Sequence, residues 1–175
     1  SRSATVLGTV RNPGRLTVPA RGIRVLDLIA QSGGASSPPW ETSVTVQRGS
    51  ASGKLTLAEI ARSQTNNVVI LPGDTVTLGH APRRFAVYGG VSRPSNVEIP
   101  LETASLAYLL AEVGGLNDRV AQARSVYVFR MDARARNATA YQFDFSRPDA
   151  LLLAGVFQLE PSDITYVASA DAADF

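Results

Sequence analysis

The sequence predicts an α+β protein of two tandem domains, each a mixed sheet wrapped over one main helix. The first observation is a repeat, because residues 6–34 return at 87–115 without a gap, at an offset of 81. The second observation is a change of spacing within each copy. Apolar residues first recur at every second position, as in a strand, and then at the spacing of a helix. Nine of the 29 aligned positions are identical: Val6/Val87, Gly8/Gly89, Val10/Val91, Pro13/Pro94, Pro19/Pro100, Leu28/Leu109, Ala30/Ala111, Gly33/Gly114 and Gly34/Gly115.

Each copy opens with alternating apolar residues, at 5–10 and at 85–91. A period of two predicts a strand. Pro13 and Pro94 then predict a tight turn, since proline presets the backbone for the first central position. A second short strand follows and ends at a proline, at residues 16–19 and 97–100. Together these segments predict a hairpin in each copy.

The main helix of each copy follows this hairpin. Its apolar residues recur at i, i+3, i+4 and i+7, which is the buried face of a helix. These residues are Val25, Leu28 and Ile29 in the first copy, and Leu106, Leu109, Leu110 and Val113 in the second. Both helices end at a Gly-Gly pair, and glycine readily takes the left-handed conformation at a helix end. Close approach to a ligand or a neighbouring subunit is the alternative role for these glycines.

The rest of each copy is less alike. A third strand is predicted at residues 44–48 and 126–130, and Thr56 with Glu59 forms a capping-box pattern that begins a short helix. Its counterpart is predicted at 148–153, and a Pro-containing turn then leads into the last strand. Eight extra residues in the second copy are assigned to a hairpin tip at 132–140. The predicted domains are residues 1–81 and 82–175, joined at 82–84.

Composition excludes several classes of function. The 175 residues include 45% hydrophobic and 18% charged residues, which is typical of globular domains. A net charge of +2 gives no support for a nucleic-acid surface. The absence of cysteine excludes disulfides, thiolate metal sites and thiol catalysis. No apolar run reaches the roughly 18–20 residues of a membrane helix.

The ordered motifs resemble the soluble-ligand-binding β-grasp (SLBB) domain, which is ubiquitin-like. They are a Gly-x-Val-x-x-Pro-Gly string, a Val-Pro or Ile-Pro pair and a helix that ends in Gly-Gly. Ser95 replaces the motif's last glycine in the second copy, which leaves the turn type open there. The residues that carry the resemblance are Gly8, Pro13, Gly33 and Gly34, then Gly89, Pro94, Gly114 and Gly115.

Tandem copies of this domain are similar to the periplasmic part of polysaccharide export proteins of the Gram-negative outer membrane. The resemblance implies a non-catalytic module of an export ring or channel, on the periplasmic face of that membrane. It implies a capsule or exopolysaccharide chain in transit and an inner-membrane copolymerase as partners, with no cofactor. The chain would be the middle of such a protein. A stand-alone sugar- or small-ligand-binding module is the alternative, and an enzyme is the third and weakest hypothesis.

Few residues suggest chemistry. His80 is the one histidine of the sequence and is expected in a solvated loop at the joint between the copies. Asp74 and Asp163 stand at the same position of the two copies and invite interpretation as an acid pair. Their place in Pro-containing turns instead predicts that they accept backbone hydrogen bonds. The sequence therefore predicts neither a catalytic residue nor a metal site.

Six residues are candidates for contacts with a ligand or a neighbouring subunit. Trp40 stands at a loop tip and offers a flat apolar face for an interface or a sugar, although it could pack over its own helix end. Arginine or asparagine side chains mark the first turns and the second hairpin, where the alternative is an exposed surface without a partner. These residues are Arg11, Asn12 and Arg93 at the turns, with Arg134 and Arg136 at the hairpin.

Overall fold

The computed structural model describes residues 2–169, and the chain divides into two compact units, Ser1–Pro82 and Arg83–Phe175. Each unit has one five-stranded mixed sheet and one main helix. Each also has its own core of buried apolar residues. These features confirm the predicted α+β class and the predicted sheet-over-helix architecture.

The sheet of unit one has the strand order β2-β1-β7-β4-β5. Strands β1 and β7 run parallel, and the other neighbours are antiparallel. Two further short strands, β3 and β6, pair with each other outside this sheet. The elements are β1 (Ser3–Gly8), β2 (Gly14–Thr17), β3 (Ile23–Arg24), α1 (Val25–Gln31), β4 (Thr42–Arg48), β5 (Ala51–Thr56), α2 (Leu57–Arg62), β6 (Val69–Ile70) and β7 (Thr75–His80).

Unit two repeats this topology, with the strand order β11-β10-β12-β8-β9. Strands β8 and β12 form its parallel pair. The β3–β6 ladder of unit one is reduced here to a single bridge between Ser105 and Gln158. The elements are β8 (Arg84–Gly89), β9 (Ser95–Glu98), α3 (Leu106–Glu112), β10 (Ala121–Asp132), β11 (Asn137–Phe143), α4 (Asp149–Val156) and β12 (Ile164–Ser169).

The two main helices bury the residues that the helical spacing selects. Leu28 on α1 is fully buried and Leu109 on α3 is 1% exposed. The predicted cap also forms at α2, where Thr56 accepts a hydrogen bond from the Glu59 amide and the Glu59 carboxylate binds the Thr56 amide. The predicted helices are confirmed, including the second short helix, which begins at Asp149.

Gly8 and Gly89 end the first strand of each unit two residues earlier than the alternation predicts. Gly8 has a φ of 87°, and an added Cβ would lie 1.8 Å from the carbonyl oxygen of Leu78. At Gly89 the φ is 90° and the nearest atom would be the Val167 carbonyl oxygen, at 2.0 Å. Both positions therefore exclude a side chain, because a left-handed backbone coincides with close approach to the neighbouring strand.

The extra residues of unit two lie mainly in the β10–β11 hairpin, as predicted. Eight residues separate Arg130 from its ladder partner Thr139, whereas two separate Arg48 from Ala51. The hairpin of unit two is therefore six residues longer beyond its arginine. The hairpin at the start of each unit keeps its register, since Val6 pairs with Gly14 and Val87 pairs with Ser95.

Candidate functional site

The carboxylates of Asp74 and Asp163 are buried and tied to their own turns. The Leu71 amide donates to Asp74 Oδ2 at 2.8 Å, and the Glu160 amide donates to Asp163 Oδ2 at 2.9 Å. These bonds confirm that both aspartates accept backbone hydrogen bonds in a turn. Since each lies within its own unit's turn, the pair is explained without catalysis.

Each aspartate also binds an arginine from the neighbouring strand, a contact that the sequence analysis missed. Arg48 donates from Nε to Asp74 Oδ1 at 2.9 Å and from Nη2 to Oδ2 at 2.7 Å. Arg130 makes the same two bonds to Asp163, at 2.9 and 2.8 Å. Each Nη2 also donates to a backbone carbonyl at 3.0 Å, of Val69 or of Gln158. The one available signal was an arginine at the end of the third strand in both copies.

These contacts shift the pKa of Asp74 and that of Arg130. The hydrogen bonds from Arg48 lower the pKa of Asp74 below its ordinary value, with a further contribution from the Leu71 amide, although burial opposes both. The bond to Asp163 is likewise the main reason that the pKa of Arg130 is raised. Asp74 is therefore held ionised beside its arginine, which suits a structural link and not a proton donor at neutral pH.

The first turns, where three candidate residues lie, pack on the Gly-Gly end of the main helix. The amides of Arg11 and Asn12 donate to the carbonyls of Gly34 and Ser32 at 3.0 and 2.9 Å. In unit two the Ser92 and Arg93 amides donate to Gly115 and Val113 at 3.1 and 3.0 Å. A Cβ at Gly33 would lie 2.7 Å from Asn12 Nδ2, and all four glycines of the Gly-Gly pairs have positive φ. The predicted helix-end role of these glycines is confirmed.

The side chains of these three candidates are exposed. Arg93 is not a free surface cation, because its Nη2 donates to the Glu112 carbonyl at 3.0 Å. A contact of Arg93 with a ligand or a neighbouring subunit stays a prediction. Its guanidinium extends the same contact between turn and helix end that its backbone makes.

Trp40 precedes Glu41 in the chain, and His80 contacts the buried carboxylate of Glu41. Trp40 is half-buried in the short 3-10 turn Pro39–Glu41. His80 is the last residue of β7, and its Nε2 lies 3.2 Å from Oε2 of the buried Glu41. His80 is exposed, as expected, but it lies at the end of a strand and not in a loop, because β7 pairs with β4 as far as Thr42.

Arg134 and Arg136 lie in the turn of the long hairpin. The Arg134 amide donates to Asp132 Oδ1 at 3.0 Å, and Arg136 has a φ of 51°. Both side chains are exposed, and Arg134 lines an open cavity of about 610 Å³ beside the hairpin. The hydrogen bonds of Arg93 run to the end of α3 instead, so the candidates of unit two do not form a single site.

Three tyrosines that the sequence analysis did not select form a row across the outer face of the second sheet. Tyr88 pairs with Tyr166 on the neighbouring strand, and Tyr166 pairs with Tyr127 on the next. The side chains on either side of them, such as Val87 and Val167, are fully buried and face the core. Since side chains alternate along a strand, the three tyrosines share the opposite face. Tyr88 is 51% exposed there.

The row continues into a wider aromatic and apolar surface. Phe129 stacks on Tyr127 with 5.7 Å between ring centroids and pairs with Ile164 on the neighbouring strand. Phe129 and Ile164 are 37% and 45% exposed. Exposed apolar surfaces of this kind are typical of interaction sites. We call these five residues the tyrosine face: Tyr88, Tyr127, Phe129, Ile164 and Tyr166.

Unit one offers an internal comparison for the tyrosine face. Its corresponding row is Leu7, Thr77 and Thr45, joined by the same ladder pairs. Two small hydroxyl side chains thus replace two aromatic rings at the same places in the sheet. The tyrosine face is therefore a property of unit two and not a requirement of the fold.

Residues 2–169 contain no group of three histidine or acidic side chains arranged to hold a metal ion. Within the same residues, no helix combines the length and apolar character needed to cross a membrane.

Family models described as the SLBB domain match residues 3–57 and 83–167, one in each unit. This match and the duplicated fold establish that the chain belongs to the SLBB domain family. The predicted resemblance is confirmed.

Several curated relatives are similar over nearly the whole chain. The capsule polysaccharide export outer membrane protein CtrA of Neisseria meningitidis is 27% identical over 93% of this chain and 46% of its own length. The capsule polysaccharide export protein BexD of Haemophilus influenzae is 26% identical, over 92% and 46%. The EPS I polysaccharide export outer membrane protein EpsA of Ralstonia nicotianae is 28% identical, over 95% and 45%. The chain spans about half the length of these relatives.

Proposed function

We propose that this chain is the periplasmic, non-catalytic part of an outer-membrane polysaccharide export protein, and that its tyrosine face contacts the polysaccharide in transit. The relatives CtrA, BexD and EpsA are all named as polysaccharide export proteins, and CtrA and EpsA as outer membrane proteins; these names support the first statement. In this proposal the parent protein forms a homo-oligomeric ring and works with an inner-membrane copolymerase.

The tyrosine row is the observation that carries the second statement. A tyrosine ring offers a flat apolar face and a hydroxyl at its edge. A sugar ring likewise has a face of C–H groups and a rim of hydroxyls, so the two surfaces complement each other. Neighbouring strands lie about 4.8 Å apart, and three rings in a row therefore extend over about 10 Å. A surface of this length contacts more than one sugar unit at once.

The open shape of the tyrosine face suits a polysaccharide that moves past it better than a ligand that is held in place. The tyrosines lie on the open side of a sheet, whereas sites that hold small ligands tightly are concave and enclose most of the ligand. A flat row gives each sugar unit a weak contact that the next unit can replace. Binding of this kind guides a polymer without trapping it.

The acidic groups support a non-catalytic role. Asp74 and Asp163 are each bound by two arginine nitrogens and a backbone amide, so neither is placed to exchange protons with a substrate. Glycoside hydrolysis needs two carboxylates at a fixed separation across one bond. These two belong to equivalent turns in different units.

Titration of the isotopically labelled chain with hexasaccharides tests the contact with sugar. The panel contains neutral hexose, N-acetylhexosamine and acidic sugar units. We expect chemical-shift changes centred on Tyr88, Tyr127 and Tyr166, with dissociation constants on the order of 1 mM for so open a surface.

The matched control replaces the row with its unit-one counterpart, as Tyr88→Leu, Tyr127→Thr and Tyr166→Thr. Because unit one folds with these residues, the variant should keep its thermal unfolding transition and lose the shifts. Saturable binding that the variant retains, or shifts centred away from the row, would reject the tyrosine face as the sugar contact.

A further inference from the structure

Unit one contains an open apolar cavity of about 360 Å³ on the core side of the β4–β5 hairpin. The alternate residues Val44 and Val46 of β4 line it, together with Gly53 and Leu55 of β5. Ile60 and Val68 contribute from the segment that follows β5. The cavity is open, and Val68 on its lining is 42% exposed.

In unit two, aromatic rings fill the same space. In the equivalent hairpins, Gly53 pairs with Val46 in unit one and Tyr141 pairs with Val128 in unit two. Tyr141 is therefore the counterpart of Gly53. The amide of the first residue of each main helix also identifies a counterpart. The Val25 amide donates to the Val68 carbonyl in unit one, and the Leu106 amide donates to the Phe157 carbonyl in unit two. Phe157 therefore occupies the position of Val68. The rings of Tyr141 and Phe157 are 5.0 Å apart. The ring of Phe143, the counterpart of Leu55, lies 5.1 Å from that of Phe157.

The equivalent arginines complete the comparison. The Arg130 guanidinium lies 5.4 Å from the centroids of both the Tyr141 and Phe157 rings. Arg48 binds its aspartate in the same way and lines the cavity, but its side chain is 54% exposed, against 23% for Arg130. Unit one therefore keeps the cation that receives an aromatic ring and lacks the ring. Such contacts stabilise most when the ring is brought against the guanidinium away from water.

The cavity adjoins an unpaired strand edge. Strand β5 is the last in the order β2-β1-β7-β4-β5, so in the described residues one of its edges has no partner strand. An unpaired edge offers a row of backbone donors and acceptors to an extended segment. Gly53 in the middle of β5 has no heavy atom within 4 Å of an added Cβ. A glycine in a strand interior often marks close approach of a ligand or another backbone.

Charge distinguishes among extended segments. The cavity lining includes two cations and no carboxylate. Arg48 is paired with Asp74 behind the lining, so Lys54 gives the rim its net positive charge. Lys54 is exposed on the edge strand itself. A segment that carries acidic side chains beside its aromatic residue complements this rim, whereas a basic segment would be repelled.

We propose that the β5 edge and its cavity bind an extended acidic segment of a partner polypeptide, which adds a strand to the sheet and inserts one aromatic side chain against Arg48. Alternate residues of the added strand point toward the core side of the sheet, where the cavity opens. The partner thus supplies in trans the ring that Tyr141 and Phe157 supply within unit two. This site belongs to unit one and does not depend on the proposed contact with polysaccharide.

Binding of synthetic peptides to the full chain tests this proposal. The probe is acetyl-EVFVE-amide, and its controls are acetyl-EVAVE-amide, without the ring, and acetyl-KVFVK-amide, with reversed charge. We expect the probe to shift the amide signals of residues 51–56 and to bind at least about tenfold more tightly than either control. Absence of binding by the probe, or equal binding by all three peptides, would overturn the proposal.

Two variants keep the test specific. Gly53→Tyr fills the cavity with the residue that unit two has there, so it should abolish probe binding while the protein stays folded. Thr45→Tyr places the same side chain on the outer face of β4, where unit two has Tyr127, and should leave probe binding unchanged. Probe binding that survives Gly53→Tyr would show that the cavity is not the site.

Discussion

Arg130 holds the carboxylate of Asp163 by two hydrogen bonds, of 2.9 and 2.8 Å, and this pair has a counterpart of the same geometry in Arg48 and Asp74. In both units the arginine lies at or near the end of the first strand of the hairpin, β4 or β10, and the aspartate precedes the last strand. The pair therefore joins the hairpin to the turn that follows the short helix. Residues around it have changed between the units, whereas the link has not.

Removal of Arg130 should destabilise unit two markedly. The Arg130→Ala variant leaves the Asp163 carboxylate, which is 1% exposed, with a single backbone donor. The loss of a partner to a buried charge costs about 3–5 kcal/mol. The packing of the guanidinium on the Tyr141 and Phe157 rings is lost as well. Urea unfolding followed by tyrosine signals of unit two measures this change.

The equivalent Arg48→Ala variant is the internal control. Arg48 is more exposed than Arg130 and contacts no aromatic ring in the described structure. We therefore expect Arg48→Ala to lower the unfolding free energy of unit one by less than Arg130→Ala lowers that of unit two. The amide signals of each unit report its own unfolding midpoint. An equal loss in both units would show that the rings contribute nothing to the arginine of unit two.

Asp74 should give unit one a stability that is lost in acid. Its pKa is lowered in the folded chain from an ordinary value of 3.8, so the ionised form is favoured by folding. The contribution is then complete above about pH 5 and declines as the pH falls through the ordinary value toward the lowered one. We expect the difference in unfolding midpoint between the native chain and Asp74→Asn to shrink between about pH 5 and pH 2. A difference independent of pH would contradict this assignment.

Gly8 should tolerate substitution much less than Gly34, although both have a positive φ. Gly34 has no heavy atom within 4 Å of an added Cβ, so Gly34→Ala incurs only the left-handed strain of about 1–2 kcal/mol. At Gly8 a Cβ would also meet the Leu78 carbonyl, so the strand must move and the loss should be on the order of 3 kcal/mol or more. Thermal unfolding of both variants checks the order, and similar losses would mean that β7 yields easily.

The tip of the long hairpin should be dispensable for folding. Unit one closes the same hairpin with Gly49 and Ser50. Replacement of residues 131–138 by Gly-Ser should therefore change the unfolding temperature of unit two by a few degrees at most. Circular dichroism on heating measures this change, and a loss of cooperative unfolding would show that the tip is part of the folded core.

Much of the fold could be predicted because the signals are local. The strand alternation, the capping box at Thr56 and the helical spacing around Leu28 each depend on residues close in sequence, and all of them appear in the structure. Gly33 and Gly34 were predictable as a helix end for the same reason. The end of the first strand at Gly8 was not, since it depends on a carbonyl contributed by Leu78, about seventy residues away.

The site was less predictable, because its parts meet only through the sheet. Tyr88, Tyr127 and Tyr166 come from three different strands. In each of these strands the residues of both faces are largely apolar, so the sequence of one strand does not show which face is turned to solvent. The partner of Asp74 was missed because Arg48 approaches from a neighbouring strand. The cavity beside Gly53 could be recognised only by comparing the two units, because Tyr141 fills the equivalent position in unit two.

Surface polysaccharide measured in cells tests the central claim most directly. In a bacterium that encodes the parent protein, the gene is deleted and then restored as the native form or with the row variant Tyr88→Leu, Tyr127→Thr and Tyr166→Thr. We predict that deletion abolishes extracellular polysaccharide, that the native gene restores it, and that the variant, at equal abundance in the outer membrane, restores substantially less. Unchanged extracellular polysaccharide after deletion would contradict the export function, whereas full restoration by the variant would reject only the tyrosine face.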